Sequence, residues 1–163
     1  MFAKKKKQEK NSNIKVCFAA SSGGHFEQLM MLRPLMKKYK GFVVTERTDY
    51  VIESEFPLYE LKQVNRRERS FLPRMLFNVV TSLRIFAKER PDAIVTTGVL
   101  AVIPLCLICK LAGRRVVYIE SFAKVSTPTE TGKFMYHFAD RFYVQWESML
   151  SVYPNAIFVG GVY

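Results

Sequence analysis

Three short stretches of this 163-residue chain hold residue types that can do chemistry together. The first is Ser21-Ser22-Gly23-Gly24-His25, which follows an apolar run. Two glycines let a backbone approach a ligand closely, and a helix starting at Gly24 or His25 would offer unpaired N–H groups and a positive dipole end. A diphosphate suits such a place. His25 is one of only two histidines. A helix N-terminus disfavours a charged imidazolium, so the neutral ring could take a proton from an attacking hydroxyl. A capping or loop-bracing histidine is the alternative. His137, among Phe134, Met135, Tyr136 and Phe138, is expected to pack.

The second stretch, Thr96-Thr97-Gly98-Val99, again ends a strand-like run in glycine, and Thr97 and Gly98 could lend a hydroxyl and N–H groups to the same anion. The third is Glu120-Ser121-Phe122-Ala123-Lys124. A carboxylate at a strand's C-terminal end could accept bonds from sugar hydroxyls or act as a base. It could equally neighbour a helix N-cap or join a salt bridge. The glycine spacing differs from the G-x-G-x-x-G dinucleotide fingerprint, so a nucleotide- or NAD-binding enzyme is the weaker reading. Cys106 and Cys109 have C-x-x-C spacing but no second pair, and with Cys17 they read as buried free thiols. Neither a metal nor a cofactor is expected.

The elements that must position these loops follow from the hydrophobic pattern. Ile14–Ala20, Phe42–Thr45, Leu58–Leu61, Ala93–Thr96, Arg115–Ile119, Arg141–Val144 and Ala156–Val159 read as strands. Helices are predicted from Gly24 or His25, from about Leu72 to Glu89, from about Leu100 to Leu111, and around Thr131–Phe138, with Pro34 interrupting the first. Strand and helix alternate, so the expected fold class is α/β, a single Rossmann-like domain over 14–163 with a mostly parallel, doubly wound sheet. Residues 1–13, rich in lysine, read as a disordered basic arm. In such sheets the ligand lies beyond the C-terminal strand ends, where the three loops would meet.

Apolar residues make up 49% and charged residues 24%, which excludes a disordered chain, and the net charge of +11 calls for an anionic partner. The basicity is local. Arg66, Arg67, Arg69, Arg74 and Arg84 surround a segment whose Leu72, Met75, Leu76, Val79, Val80, Leu83, Phe86 and Ala87 fall at helical spacing, a stripe expected to face the core. Phe77 and Ile85 lie off that stripe, which predicts a second, exposed apolar surface. The segment therefore resembles an interfacial amphipathic helix on an anionic membrane surface. A core helix with a solvated basic face is the alternative. Nucleic acid is not expected, since no recognisable binding module accompanies the arginines. The longest apolar run, Val99–Cys109, contains Pro104 and is too short to span a bilayer, which needs about 20 residues.

Ser21-Ser22-Gly23-Gly24-His25-Phe26-Glu27-Gln28-Leu29, Thr96-Thr97-Gly98, Glu120-Ser121-Phe122-Ala123 and the closing Val159-Gly160-Gly161, in this order, resemble the acceptor-side subunit of a two-subunit glycosyltransferase. In that family a GT-B enzyme is split between two chains; one eukaryotic member anchors the UDP-N-acetylglucosamine transferase that adds the second sugar to dolichol diphosphate, and bacterial relatives serve capsule and exopolysaccharide synthesis. The resemblance implies a donor-binding glycosyltransferase partner, docked through Gly160, Gly161, Val162 and Tyr163, and a lipid-linked sugar acceptor. It implies a metal-independent, inverting transfer, with Gly23 and Gly24 against the acceptor diphosphate, His25 near its hydroxyl and Glu120 near the inter-subunit cleft. It also implies peripheral attachment at the cytoplasmic face of the membrane, which we assign to Arg66, Arg67, Arg69, Arg74, Phe77 and Arg84. A non-catalytic scaffold that stimulates its partner is the competing expectation.

Overall fold

The computed structural model describes residues 13–49, 52, 54–98 and 100–162. The lysine arm, Val99 and Tyr163 lie outside the described residues. Seven strands, β1 (Lys15–Ala19), β2 (Lys40–Glu46), β3 (Leu58–Leu61), β4 (Ala93–Thr96), β5 (Arg115–Ile119), β6 (Arg141–Val144) and β7 (Ile157–Phe158), form one sheet. Their order is β3-β2-β1-β4-β5-β6-β7, and every pairing is parallel. Parallel strands are buried on both faces, which is why Val16-Cys17-Phe18-Ala19 and Phe42-Val43-Val44 are unbroken apolar runs.

The chain runs outward from β1 to β3, returns through a long crossover and runs outward again from β4 to β7. Right-handed crossovers in opposite directions put their helices on opposite faces. Helices α1 (Gly24–Met30) and α2 (Arg33–Met36) cover one face, burying Phe26, Leu29 and Met36 against Val16, Phe18 and Val43. On the other face α3 (Phe71–Glu89), α4 (Ile103–Leu111) and α5 (Glu130–Tyr136) contribute Ile85, Leu105, Cys106 and Met135 to a core with Cys17, Phe42, Ile94, Val116 and Phe142. Period-two alternation sends Val16 and Phe18 to one core and Cys17 to the other. All three cysteines are buried free thiols, and burial pushes Cys109 up to about 12.

Two prolines fall in the first turns of helices. The chain breaks at Met31-Leu32, and Pro34 sits in the first turn of α2, where its missing N–H costs nothing. Pro104 likewise occupies the first turn of α4, behind a short 3₁₀ turn at Leu100–Val102. The phase of α3 corrects the expected stripe. Leu72 and Leu76 are 74% and 66% exposed, and Val80 and Leu83 also face outward, while Asn78, Ser82 and Ile85 are buried. Phe77 is exposed as anticipated, but Ile85, at 4%, is core.

The face that carries α1 and α2 is covered only in part. Beyond α1 and α2 lies an apolar cavity of about 620 Å³ over β1, β4 and β5, walled by Val16, Phe18, Val95, Val117, Ile119 and Val162 among others. Among the described residues no helix is long and apolar enough to cross a membrane.

Candidate functional site at the strand ends

The direction of winding reverses between β1 and β4, the place where open α/β sheets form a crevice. The glycine loop follows β1 and the Thr97-Gly98 loop follows β4, so both flank that crevice. Gly23 has φ +74°, a conformation that side chains rarely adopt, and its carbonyl accepts from the amides of Phe26 and Glu27 at 2.8 and 3.1 Å. The amides of Gly24 and His25 sit in the open first turn of α1, where a helix leaves N–H groups without an intrahelical acceptor. A Cβ built on Gly23 or Gly24 would meet nothing within 4 Å, so the loop is open on its outer side.

His25 is braced rather than loose. Its Nδ1 lies 2.9 Å from the Thr97 carbonyl oxygen, and the Thr97 hydroxyl donates to the His25 carbonyl at 2.9 Å. A carbonyl can only accept, so Nδ1 carries a proton toward Thr97, and whenever the ring is neutral the lone pair is on Nε2. The ring edge faces Gly98, whose φ is +103° and whose added Cβ would stand 3.8 Å from His25 Cε1 and 3.0 Å from the Tyr118 hydroxyl. Thr97, expected on the ligand side, is fully buried, and its hydroxyl, carbonyl and amide are all spent on His25 and Ala19. Ser21 donates to the Ser22 carbonyl at 3.1 Å. The Ser22 amide is held by the buried carboxylate of Glu46, which also accepts from the Val64 amide at 3.4 Å. Burial raises Glu46 above the usual carboxylate range, and those two amides pull against the rise.

Glu120 lies at the same edge but points inward and is 1% exposed. Its carboxylate accepts from the Ser121 amide at 2.9 Å, the Thr129 hydroxyl at 2.9 Å, the Tyr153 hydroxyl at 3.0 Å and the Thr129 amide at 3.3 Å. Thr129 caps α5, accepting from the Gly132 amide at 2.8 Å, so the carboxylate also faces that helix's positive end. An added Cβ at Gly132 would lie 2.0 Å from Glu120 Oε2, so glycine is required by contact. Burial and the Glu120 charge push the phenols of Tyr118 and Tyr153 up, keeping both protonated as donors. Glu120 is thus placed as a bracing residue beside a helix cap, with its carboxylate turned away from the crevice.

Residues that the pattern did not single out tie these loops together. Gln28, buried on α1, donates to the Glu120 carbonyl at 3.4 Å and accepts from the Phe122 amide at 3.2 Å. Gln145 donates to the same carbonyl at 2.8 Å and accepts from Val162 at 3.0 Å, linking the C-terminal residues to the site. A polar residue at an inward helix position and a threonine ahead of Glu130 were the available signals for Gln28 and Thr129. Tyr153 carried none. The membrane-assigned residues lie on α3 and the loop before it: Phe77 is exposed there, Arg74 pairs with Glu68 at 3.0 Å, and Arg66 acts electrostatically on Glu130 at the start of α5. Among the described residues no group of His, Cys, Asp and Glu could hold a metal ion.

A seven-stranded parallel sheet with its crevice at the β1/β4 reversal defines a Rossmann-like domain, and its neighbours among solved structures are GT-B fold proteins. MurG of Acinetobacter baumannii superposes with a TM-score of 0.68 at 16% identity, over 83% of this chain and 42% of that one. The UDP-GlcNAc 2-epimerase of Neisseria meningitidis gives 0.68 at 11% identity, over 91% and 47%. The chain spans less than half the length of these solved structures. The family model "Oligosaccharide biosynthesis protein Alg14 like" matches residues 56–162, and the chain belongs to that family. Relatives include the UDP-N-acetylglucosamine transferase subunit ALG14 of Homo sapiens, 23% identical over 92% of this chain and 83% of that protein. The subunit of the same name from Yarrowia lipolytica is 26% identical, over 93% and 82%.

Proposed function

We propose that this chain is the acceptor-side subunit of a two-subunit glycosyltransferase, binding a polyprenyl-diphosphate-linked sugar while a partner chain supplies the UDP-sugar site. The observation that carries the reading is the His25 brace: a ring held by Thr97 beside an open glycine loop, with one nitrogen left to accept a proton. In the proposed step the acceptor hydroxyl gives its proton to His25 Nε2 as its oxygen attacks the anomeric carbon. The bond to the UDP leaving group breaks, and the anomeric configuration inverts. The Thr97 carbonyl then faces an imidazolium, which it stabilises. Ser22, Gly23, Gly24 and Gly98 line the acceptor diphosphate, and Ser21, Thr97 and Glu120 hold the loops in place.

The uncovered apolar sheet face supports the need for a partner. Helices normally cover both faces of a parallel sheet, and here Val162 and Val159, next to Gly160 and Gly161, wall the open cavity. We place the partner's docking region there, extending to Tyr163. The exposed apolar side of α3 with Arg66, Arg67, Arg69, Arg74 and Arg84 supports peripheral attachment at a cytoplasmic membrane face, each basic group adding about 1 kcal/mol on an anionic leaflet. The setting we infer is capsule or exopolysaccharide synthesis, or related lipid-linked oligosaccharide assembly.

The test is co-expression with a donor-binding partner and measurement of sugar transfer to a polyprenyl-diphosphate acceptor. His25→Ala is expected to lower turnover by about 10² or more with the complex intact. Normal turnover in that intact complex would instead identify a non-catalytic scaffold.

A further inference from the structure

A polar cavity of about 330 Å³ opens at the C-terminal ends of β2 and β3, lined by Arg47, Thr48, Asp49, Lys62, Gln63 and Arg74. Its three cations outnumber its one carboxylate. Among the described residues neither Arg47 nor Lys62 forms a salt bridge, and Arg74 uses one guanidinium nitrogen on Glu68 and on the Gln63 carbonyl. A guanidinium has five N–H donors, so Arg74 retains others for a ligand.

The walls are fixed from the core. Asn78, fully buried on α3, accepts from the Lys62 amide at 2.8 Å and donates to the Lys62 carbonyl at 2.8 Å. A buried amide is costly unless satisfied, and both ends of this one are satisfied by a single residue of the cavity wall. The Arg47 amide is tied to the Leu61 carbonyl at 2.8 Å, holding the opposite wall against β3. Two cations are therefore anchored through their backbones while their heads stay exposed.

The surroundings select the ligand. Lys62 Nζ lies 3.9 Å from the Phe77 ring centroid, so the cavity adjoins the exposed apolar side of α3 formed by Leu72, Leu76 and Phe77. On its other side, Glu46 precedes Arg47 and binds the Ser22 amide. Adjacent strands lie about 4.8 Å apart, so the cavity stands roughly one or two strand widths from the glycine loop. A carboxylate lies under that loop, whereas the concentrated positive charge lies in the cavity.

We propose that Arg47, Lys62 and Arg74 form a phosphate-binding site for the diphosphate headgroup of an amphiphile whose hydrocarbon lies along α3. Only the identity of that amphiphile as the sugar acceptor rests on the function proposed above, and it moves the acceptor's diphosphate from the glycine loop into this cavity, leaving Ser22, Gly23, Gly24 and Gly98 beside the sugar; the anion site itself is measured without sugar transfer.

The full chain is titrated with inorganic diphosphate, and its sedimentation is measured with phosphatidylcholine vesicles carrying either a polyprenyl diphosphate or phosphatidylglycerol. Arg47→Gln with Lys62→Gln is compared with Lys38→Gln plus Arg141→Gln, which removes the same charge from exposed positions at the opposite, N-terminal ends of the strands. Thermal unfolding verifies that both variants fold. Loss of about tenfold or more in diphosphate affinity in the first variant and little in the second is expected, since each charge-assisted bond is worth a factor of about ten. Equal weakening in both, or no weakening in the first, would overturn the site. Preference for polyprenyl diphosphate vesicles supports it as an acceptor site. Equal retention of phosphatidylglycerol vesicles, with the same dependence on Arg47 and Lys62, supports it as a general acidic-lipid site and removes the acceptor identity alone.

Discussion

Glu120 and Glu46 are both buried carboxylates at the C-terminal ends of strands, yet their surroundings differ. Glu120 accepts from two hydroxyls and two amides within 3.3 Å and neighbours the N-terminus of α5. Glu46 has two backbone amides, from Ser22 and Val64, and burial raises it. A buried charge is tolerable in proportion to the donors turned toward it. Glu120 is therefore a keystone, while Glu46 is a linker between the glycine loop and the loop before α3, held at an electrostatic cost.

The contrast breaks most directly at Glu120. Glu120→Ala is expected to strip the acceptors from Thr129 and Tyr153 and lower stability by about 3–5 kcal/mol, read as a drop in thermal midpoint. If Glu46→Ala cost as much, the distinction between keystone and linker would be lost. Gly132→Ala attacks the same network by overlap, since its Cβ meets Glu120 Oε2 at 2.0 Å; a loss of about 1–3 kcal/mol is expected in denaturant unfolding. Thr97→Val removes one hydrogen bond to the His25 carbonyl and leaves the ring's own bond to Thr97 in place. It should cost about 1 kcal/mol. In the proposed complex, turnover should fall much less than in His25→Ala.

The smallest effect sharpens the Glu46 side. Its pKa is raised from 4.5 in the folded chain, so folding favours the protonated form. That contribution is present below pH 4.5 and is lost as pH rises through the raised value. Wild type should therefore lose stability relative to Glu46→Gln over this interval and run parallel to it at higher pH. A constant difference between the two across the whole range would show that Glu46 titrates normally.

Much of the frame was legible because parallel strands buried on both faces are continuous apolar runs. The seven strands, the glycine turns after β1 and β4 and the α/β alternation follow from residues 14–162 on that basis. The phase of α3 was not. Its sequence carries an apolar stripe and a face with Asn78 and Ser82, and hydrophobicity alone assigns the stripe to the core. The structure turns Asn78 inward because the Lys62 backbone supplies partners for both ends of its amide. Periodicity measures the spacing of a helix's faces; it contains no information about which neighbour each face meets.

The same limit applies to the site. Local rules determine a tight turn at Gly23 and a helix beginning beside His25, because φ preferences and capping act within a few residues. What His25 and Glu120 do depends on Thr97, 72 residues from His25, and on Tyr153, 33 residues from Glu120. Such partners are chosen by strand order and crossover direction. Sequence alone thus determined the sheet's strands and the residues placed at their C-terminal ends. Only the tertiary structure decided that one histidine nitrogen stays open beside the crevice while the carboxylate of Glu120 turns inward, because hydrogen-bond satisfaction of a buried group depends on elements distant in the chain.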